Sequence, residues 1–138
     1  MGQYYKVVNK TKKEFLDPHS FGHGAKLMEF VCDAEGMLQS LAILLAEGNG
    51  WGGGDFDSDN PLIGSWSGDE ITIVGDYADS GLYEIARKSY KNISDDAYNM
   101  LLEDDYLKET LVSKALELKR LLWNEEQIFT TMMKMVIK

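Results

Sequence analysis

Between Asn49 and Asp79 the chain reads NGWGGGDFDSDNPLIGSWSGDEITIVGDYAD, and more than half of its thirteen glycines and two of its three tryptophans lie there. Glycine at this density lets the backbone take positive φ values and approach partners closely, and it weakens both helix and strand. The first part of the stretch is therefore expected to be a loop. The aspartates and tryptophans set between the glycines supply charge and contact area, which a plain connector does not need.

The flanking segments read as regular elements. Tyr4 to Asn9 is rich in β-formers, Asn9 to Lys13 offers turn chemistry, and Glu14 to Leu16 completes a β-hairpin that Asp17-Pro18 ends. From Ala25, the residues Leu27, Phe30, Val31, Ala34, Leu38, Leu41 and Leu45 recur at helical spacing, with Gly36 dividing two helices and Gly48 as a C-terminal cap. Beyond the loop, Ile71 to Val74 reads as a central strand, with Leu62 to Trp66 as its hairpin partner. Ser80 caps a helix over Leu82 to Ser89, and Ser94, Asp95 and Asp96 open another that breaks near Asp104-Asp105. Leu107, Leu111, Ala115, Leu118 and Leu122 keep one stripe on a C-terminal amphipathic helix ending near Trp123. Ile128 to Ile137 alternates like a late strand. Clustered β-runs separated by helical stretches predict one α+β domain over residues 1–138, a small, mostly antiparallel sheet with helices on one face.

Charge narrows the function classes. The formal net charge is −9 and the isoelectric point about 4.6, a balance that repels phosphate and disfavours direct binding of nucleic acid or of anionic membranes. Partners with basic surfaces are the electrostatic complement. The longest apolar run, Leu41 to Ala46, is too short to span a bilayer, and no signal peptide is seen, so a cytoplasmic location is expected. The single Cys32, beside Phe30 and Val31, reads as a small buried hydrophobe.

Three motifs invite chemistry. Gly48-Asn49-Gly50-Trp51-Gly52-Gly53 has the letters of G-x-G-x-x-G, but a helix precedes it and aspartates follow, the wrong context for a pyrophosphate. Asp55, Asp57 and Asp59 alternate as in a calcium loop. Asn60 stands where an EF-hand needs glycine and Trp66 where it needs glutamate, so at most weak Ca²⁺ or Mg²⁺ binding is expected. His19 and His23 have H-x₃-H spacing in a glycine-bearing loop rather than on a helix, and would need carboxylates to complete a metal shell.

Gly2-Gln3-Tyr4-Tyr5-Lys6, Asp17-Pro18-His19 with Phe21-Gly22, Lys26 to Phe30, and Gly68-Asp69 running into Val74-Gly75-Asp76-Tyr77 resemble a family of small uncharacterised proteins of bacteria and their phages. The resemblance covers about the first eighty residues and implies no activity and no catalytic residue. It implies a phage-related setting, in which small acidic inhibitors occur.

The function expected from these signals is a non-enzymatic, acidic protein-binding module. Its most concrete form is an anti-defence inhibitor that mimics DNA charge and fills a basic groove. Trp51, Asp55, Asp57, Asp59, Trp66 and Asp69 are the expected partner-binding residues. The alternative is a metal-dependent enzyme or small-ligand or nucleotide binder using His19, His23, Asp69 and Asp76.

Overall fold

The computed structural model describes residues 2–32 and 36–111. Its centre is strand β1 (Tyr5–Asn9), paired antiparallel on one side with β2 (Glu14–Leu16) and on the other with β3 (Ile71–Gly75); β4 (Lys91–Asn92) adds parallel to β2, giving the order β3-β1-β2-β4. The β1–β2 turn is fixed by Asn9, whose Oδ1 accepts the Lys12 amide at 2.8 Å, and Lys13 closes it with a φ of 57°.

β1 is buried almost throughout because both of its faces are covered, which explains why its sequence lacks a polar alternation. Val7 and Leu16 point to one face, where Phe21, Phe30, Met37, Leu44, Trp66, Ile93 and Ala97 close the main core. That layer is supplied by a 3₁₀ turn (Pro18–Phe21), α1 (Leu27–Val31), α2 (Met37–Leu44) and α4 (Ser94–Leu101). Val8, Phe15 and Val74 point the other way, against Leu82 and Ala86 of α3 (Leu82–Ser89). The fold is α+β as expected, with α3 placed on the second face of the sheet. Each fully buried large side chain contributes roughly 1.5–3 kcal/mol by leaving water. Lys6 enters this second layer with its ammonium 3.9 Å from the Tyr83 ring centre, so aromatic faces receive the charge.

Several local expectations change. Leu62 to Trp66 does not pair with β3; residues 61–68 are consecutive turns, and β3 finds its antiparallel partner in β1. The amides of this segment serve α2 instead. Gly64 N–H donates to Ile43 O at 2.9 Å and Trp66 N–H to Leu44 O at 2.8 Å, satisfying carbonyls at the helix end. α2 therefore stops four residues before Gly48, which belongs to the following turn rather than to a cap. The helix over Leu82–Ser89 forms, but its N-cap is Gly81 with a φ of 69° rather than Ser80, which stands one residue earlier and accepts the Leu82 amide at 3.3 Å. Ser94 instead accepts the Asp17 amide at 2.8 Å, tying α4 to the end of β2. Cys32 is exposed just past α1, because that helix ends at Val31 and turns the residue outward. The expected break near Asp104 is present, and a new helix runs over 105–111. The rest of the expected C-terminal helix and the strand over Ile128 to Ile137 lie outside the described residues. Among the described residues no helix is long and apolar enough to cross a membrane.

Candidate functional site

The glycine-rich loop is closed by its own side chains. Asn49 and Phe56 form a two-bond clamp, with Asn49 Nδ2 donating to Phe56 O at 2.8 Å and Phe56 N–H donating to Asn49 Oδ1 at 2.7 Å. Inside the clamp, the amides of Gly50, Trp51 and Gly52 all donate to Asp55 Oδ2, at 2.9, 3.0 and 2.9 Å. Successive N–H groups aimed at one point form an anion-binding nest, and here the anion is the loop's own carboxylate. The Gly52, Gly50 and Trp51 amides hold the Asp55 carboxyl below the usual aspartate range. Trp51 rides on this nest with 91 % of its surface exposed.

The second anchor is the turn between α4 and the helix over 105–111. Asp104 caps that helix, its Oδ1 accepting the Tyr106 and Leu107 amides at 3.0 and 3.1 Å, while its Oδ2 accepts the Asp57 amide at 3.1 Å. The Asp57 and Leu107 amides lower its carboxyl against a smaller opposing effect of burial. Glu103 Oε2 accepts from both Ser58 Oγ, at 2.7 Å, and Asn60 Nδ2, at 3.0 Å. Phe56 packs below, beside Met100, Leu101 and Leu111. Residues 49–60 are thus held from both ends.

This geometry sorts the expected site residues. Trp51, Asp57 and Asp59 are exposed on the loop, and Asp55 faces the nest. Trp66 is not at the surface. It is fully buried against the main face of the sheet, and its indole N–H donates to Glu14 at 2.8 Å, so a partner cannot reach it. Asp69 has a side chain only 10 % exposed; Asn9 Nδ2 at 2.8 Å and Lys12 Nζ at 2.6 Å occupy it. The Asn9 bond first and Lys12 second lower its carboxyl, and its role is to tie the hairpin turn to the start of β3. Glu103, Asp104 and Tyr106, none of them an expected site residue and Asp104 expected only as a helix break, complete the loop's surroundings. The signal available for them was the capping position of Asp104 at the helix break.

The residues of the alternative site do not converge. Asp69 and Asp76 stand at opposite ends of β3, roughly 17 Å or more apart at about 3.3 Å per strand residue. Asp76 accepts the Tyr4 amide at 3.0 Å. His19 is exposed on the 3₁₀ turn with its ring 6.3 Å from that of Tyr4, whereas His23 is buried. Among the described residues no three His, Cys, Asp or Glu side chains are grouped to hold a metal ion. In the loop itself, Asp55 Oδ2 is taken up by three N–H groups and is not offered to a metal ion.

Among the described residues, two clefts flank the clamp. The smaller, about 330 Å³, lies between Glu47, Asn49, Asp59 and Gly64. The larger, about 650 Å³, lies between α2 and the 105–111 helix, with Ile43, Phe56 and Leu107 as apolar walls and Asp55, Asp104 and Tyr106 around them. Tyr106 is 78 % exposed. No protein-family model, curated protein or solved structure matches the chain.

Proposed function

We propose that this protein is a non-enzymatic protein-binding module that presents the Trp51 loop, with its surrounding carboxylates, to a partner with a basic surface. The observation that carries this proposal is a tryptophan left 91 % exposed on a loop whose backbone is fixed by the Asp55 nest and the Asn49–Phe56 clamp. A large amphipathic ring that is already positioned loses little freedom on binding, and exposed tryptophans of this kind become the energetic centres of interfaces. Glu47, Asp57, Asp59, Glu103 and Asp105 are exposed on the loop and the segments beside it, adding to the charge of −9. That charge supports long-range attraction of a basic partner.

The narrower form of the proposal is a cytoplasmic inhibitor of phage type that fills a nucleic-acid-binding groove by imitating DNA charge. It rests on the net charge and on the family resemblance. The test is affinity capture from a bacterial lysate followed by binding kinetics across a salt series. Trp51→Ala is expected to raise the dissociation rate about tenfold or more, the effect of losing an interface centre. Neutralising Asp57 and Asp59 is expected to lower the association rate and flatten its salt dependence, because steering is screened over about 8 Å at physiological salt. Identical kinetics for wild type and both variants would remove the loop from the interface.

A further inference from the structure

The larger cleft beside the loop combines features that select one kind of side chain. Ile43, Phe56 and Leu107 offer apolar walls, Asp55 and Asp104 bring two carboxylates to the same cavity, and Tyr106 adds an exposed aromatic ring. Both carboxylates are pinned by backbone amides yet keep accepting capacity, since a carboxylate has about four lone-pair sites. Asp55 uses Oδ2 for its three bonds, leaving Oδ1 without a hydrogen-bond donor among the described residues. We infer that this cleft takes an arginine side chain from the partner, its methylene stem against Ile43 and Leu107 and its guanidinium between Asp55, Asp104 and the Tyr106 ring. This inference rests on the protein-binding proposal above and names the chemistry that the partner brings to it.

Arginine fits better than lysine for physical reasons. Its guanidinium is planar, weakly hydrated and forked, so it stacks on an aromatic ring while donating to carboxylates, whereas an ammonium is a compact, strongly hydrated point charge. The volume, about 650 Å³, falls within the usual range of small-ligand sites, roughly 300–1,000 Å³, and exceeds the needs of one side chain. The excess leaves room for the backbone of the residue that carries it. Because the nest and the cap orient both acidic groups before binding, the guanidinium meets acceptors that need no rearrangement.

The test uses the full ¹⁵N-labelled chain and three neutral-backbone probes: Nα-acetyl-arginine amide, Nα-acetyl-lysine amide and Nα-acetyl-citrulline amide. Citrulline keeps the shape and removes the charge. The arginine probe is expected to shift the amides of Asn49, Phe56, Tyr106 and Leu107 and to bind at least about fivefold more tightly than citrulline, as charge-assisted bonds require. Lysine should fall between them. Ala42→Trp, at an exposed α2 position lining the cleft, should abolish the shifts while leaving a folded spectrum. Asp104→Asn keeps a cap oxygen and should weaken the arginine probe by a similar factor. Absent shifts, equal binding of citrulline, or shifts that survive both variants would each overturn the inference. If capture of a partner still depends on Trp51 in that case, only the arginine cleft fails. If Trp51→Ala also leaves capture unchanged, the binding proposal fails with it.

Discussion

Gly64→Ala is the substitution whose cost can be worked most directly from the geometry. Gly64 has a φ of +71°, and a Cβ built there would lie 2.6 Å from the Ala46 carbonyl oxygen, closer than real Cβ atoms approach backbone. The left-handed conformation alone costs a non-glycine residue roughly 1–2 kcal/mol. Relieving the overlap pulls the segment away from α2, and the bonds at risk are Gly64 N–H to Ile43 O and Trp66 N–H to Leu44 O, at 2.9 and 2.8 Å. Losing one adds about 0.5–1.5 kcal/mol. Gly68→Ala is the control, since Gly68 has a φ of +80° but open space where its Cβ would go. Gly64→Ala should therefore cost about 1.5–3.5 kcal/mol and Gly68→Ala only the conformational part, about 1–2 kcal/mol. Urea unfolding followed by circular dichroism reads the difference as a midpoint shift of roughly 0.5–1 M, for a slope of about 1–2 kcal/mol per molar. Equal midpoints for the two variants would mean that residues 64–66 do not rest on the end of α2 as described.

The two tryptophans of the central stretch should respond oppositely. Trp66→Ala is expected to cost about 3–5 kcal/mol, as for large buried aromatics, whereas Trp51→Ala should stay within about 0.5 kcal/mol in the same unfolding assay. Ser40 Oγ is buried with no hydrogen-bond partner among the described residues, so Ser40→Ala should stabilise the fold by about 1 kcal/mol in thermal melts. A loss of stability there would reveal a bond to the hydroxyl. Asp55 has a carboxyl lowered in the folded protein, so its contribution to loop order is complete above the unfolded value, about 3.9, and is lost as pH falls through the folded one. The indole ¹⁵N signal of Trp51 should thus keep one narrow line at neutral pH and change only in the acid range. In Asp55→Asn the altered signal should be present already at pH 7.

The sequence was most informative where a physical rule acts over a few residues. The β1–β2 hairpin, the strand at Ile71, the helix after Ser80 and the break at Asp104 follow from β-propensity, capping and turn chemistry, and the structure places them there. Relations between distant segments were not legible. Nothing local marks Lys91–Asn92 as a strand; it pairs with β2 because α3 returns the chain to that edge. Trp66 resembled an interface residue because it stands among serines and glycines, and its burial depends on Leu44, Met37 and Glu14 meeting it from other elements. The same limit applied to the candidate site. The exposure of Trp51 was legible from its glycine neighbours, but Asp55 was grouped with Asp57 and Asp59 by spacing, whereas three preceding amides separate its surroundings from theirs.

The nest around Asp55 also sets what the loop will ignore. Its three amides would suit a phosphate oxygen, and the spacing of the glycines resembles a nucleotide-binding fingerprint. The site is nevertheless filled by a group tethered three residues away. A short tether gives its carboxylate an effective concentration in the millimolar range or above, before any electrostatic preference is counted. A free phosphate must outcompete a ligand that never diffuses away, and must do so beside Asp57 and Asp59. The loop is therefore an anion nest occupied by its own permanent competitor, and what it turns to solvent is Trp51 with Asp57 and Asp59.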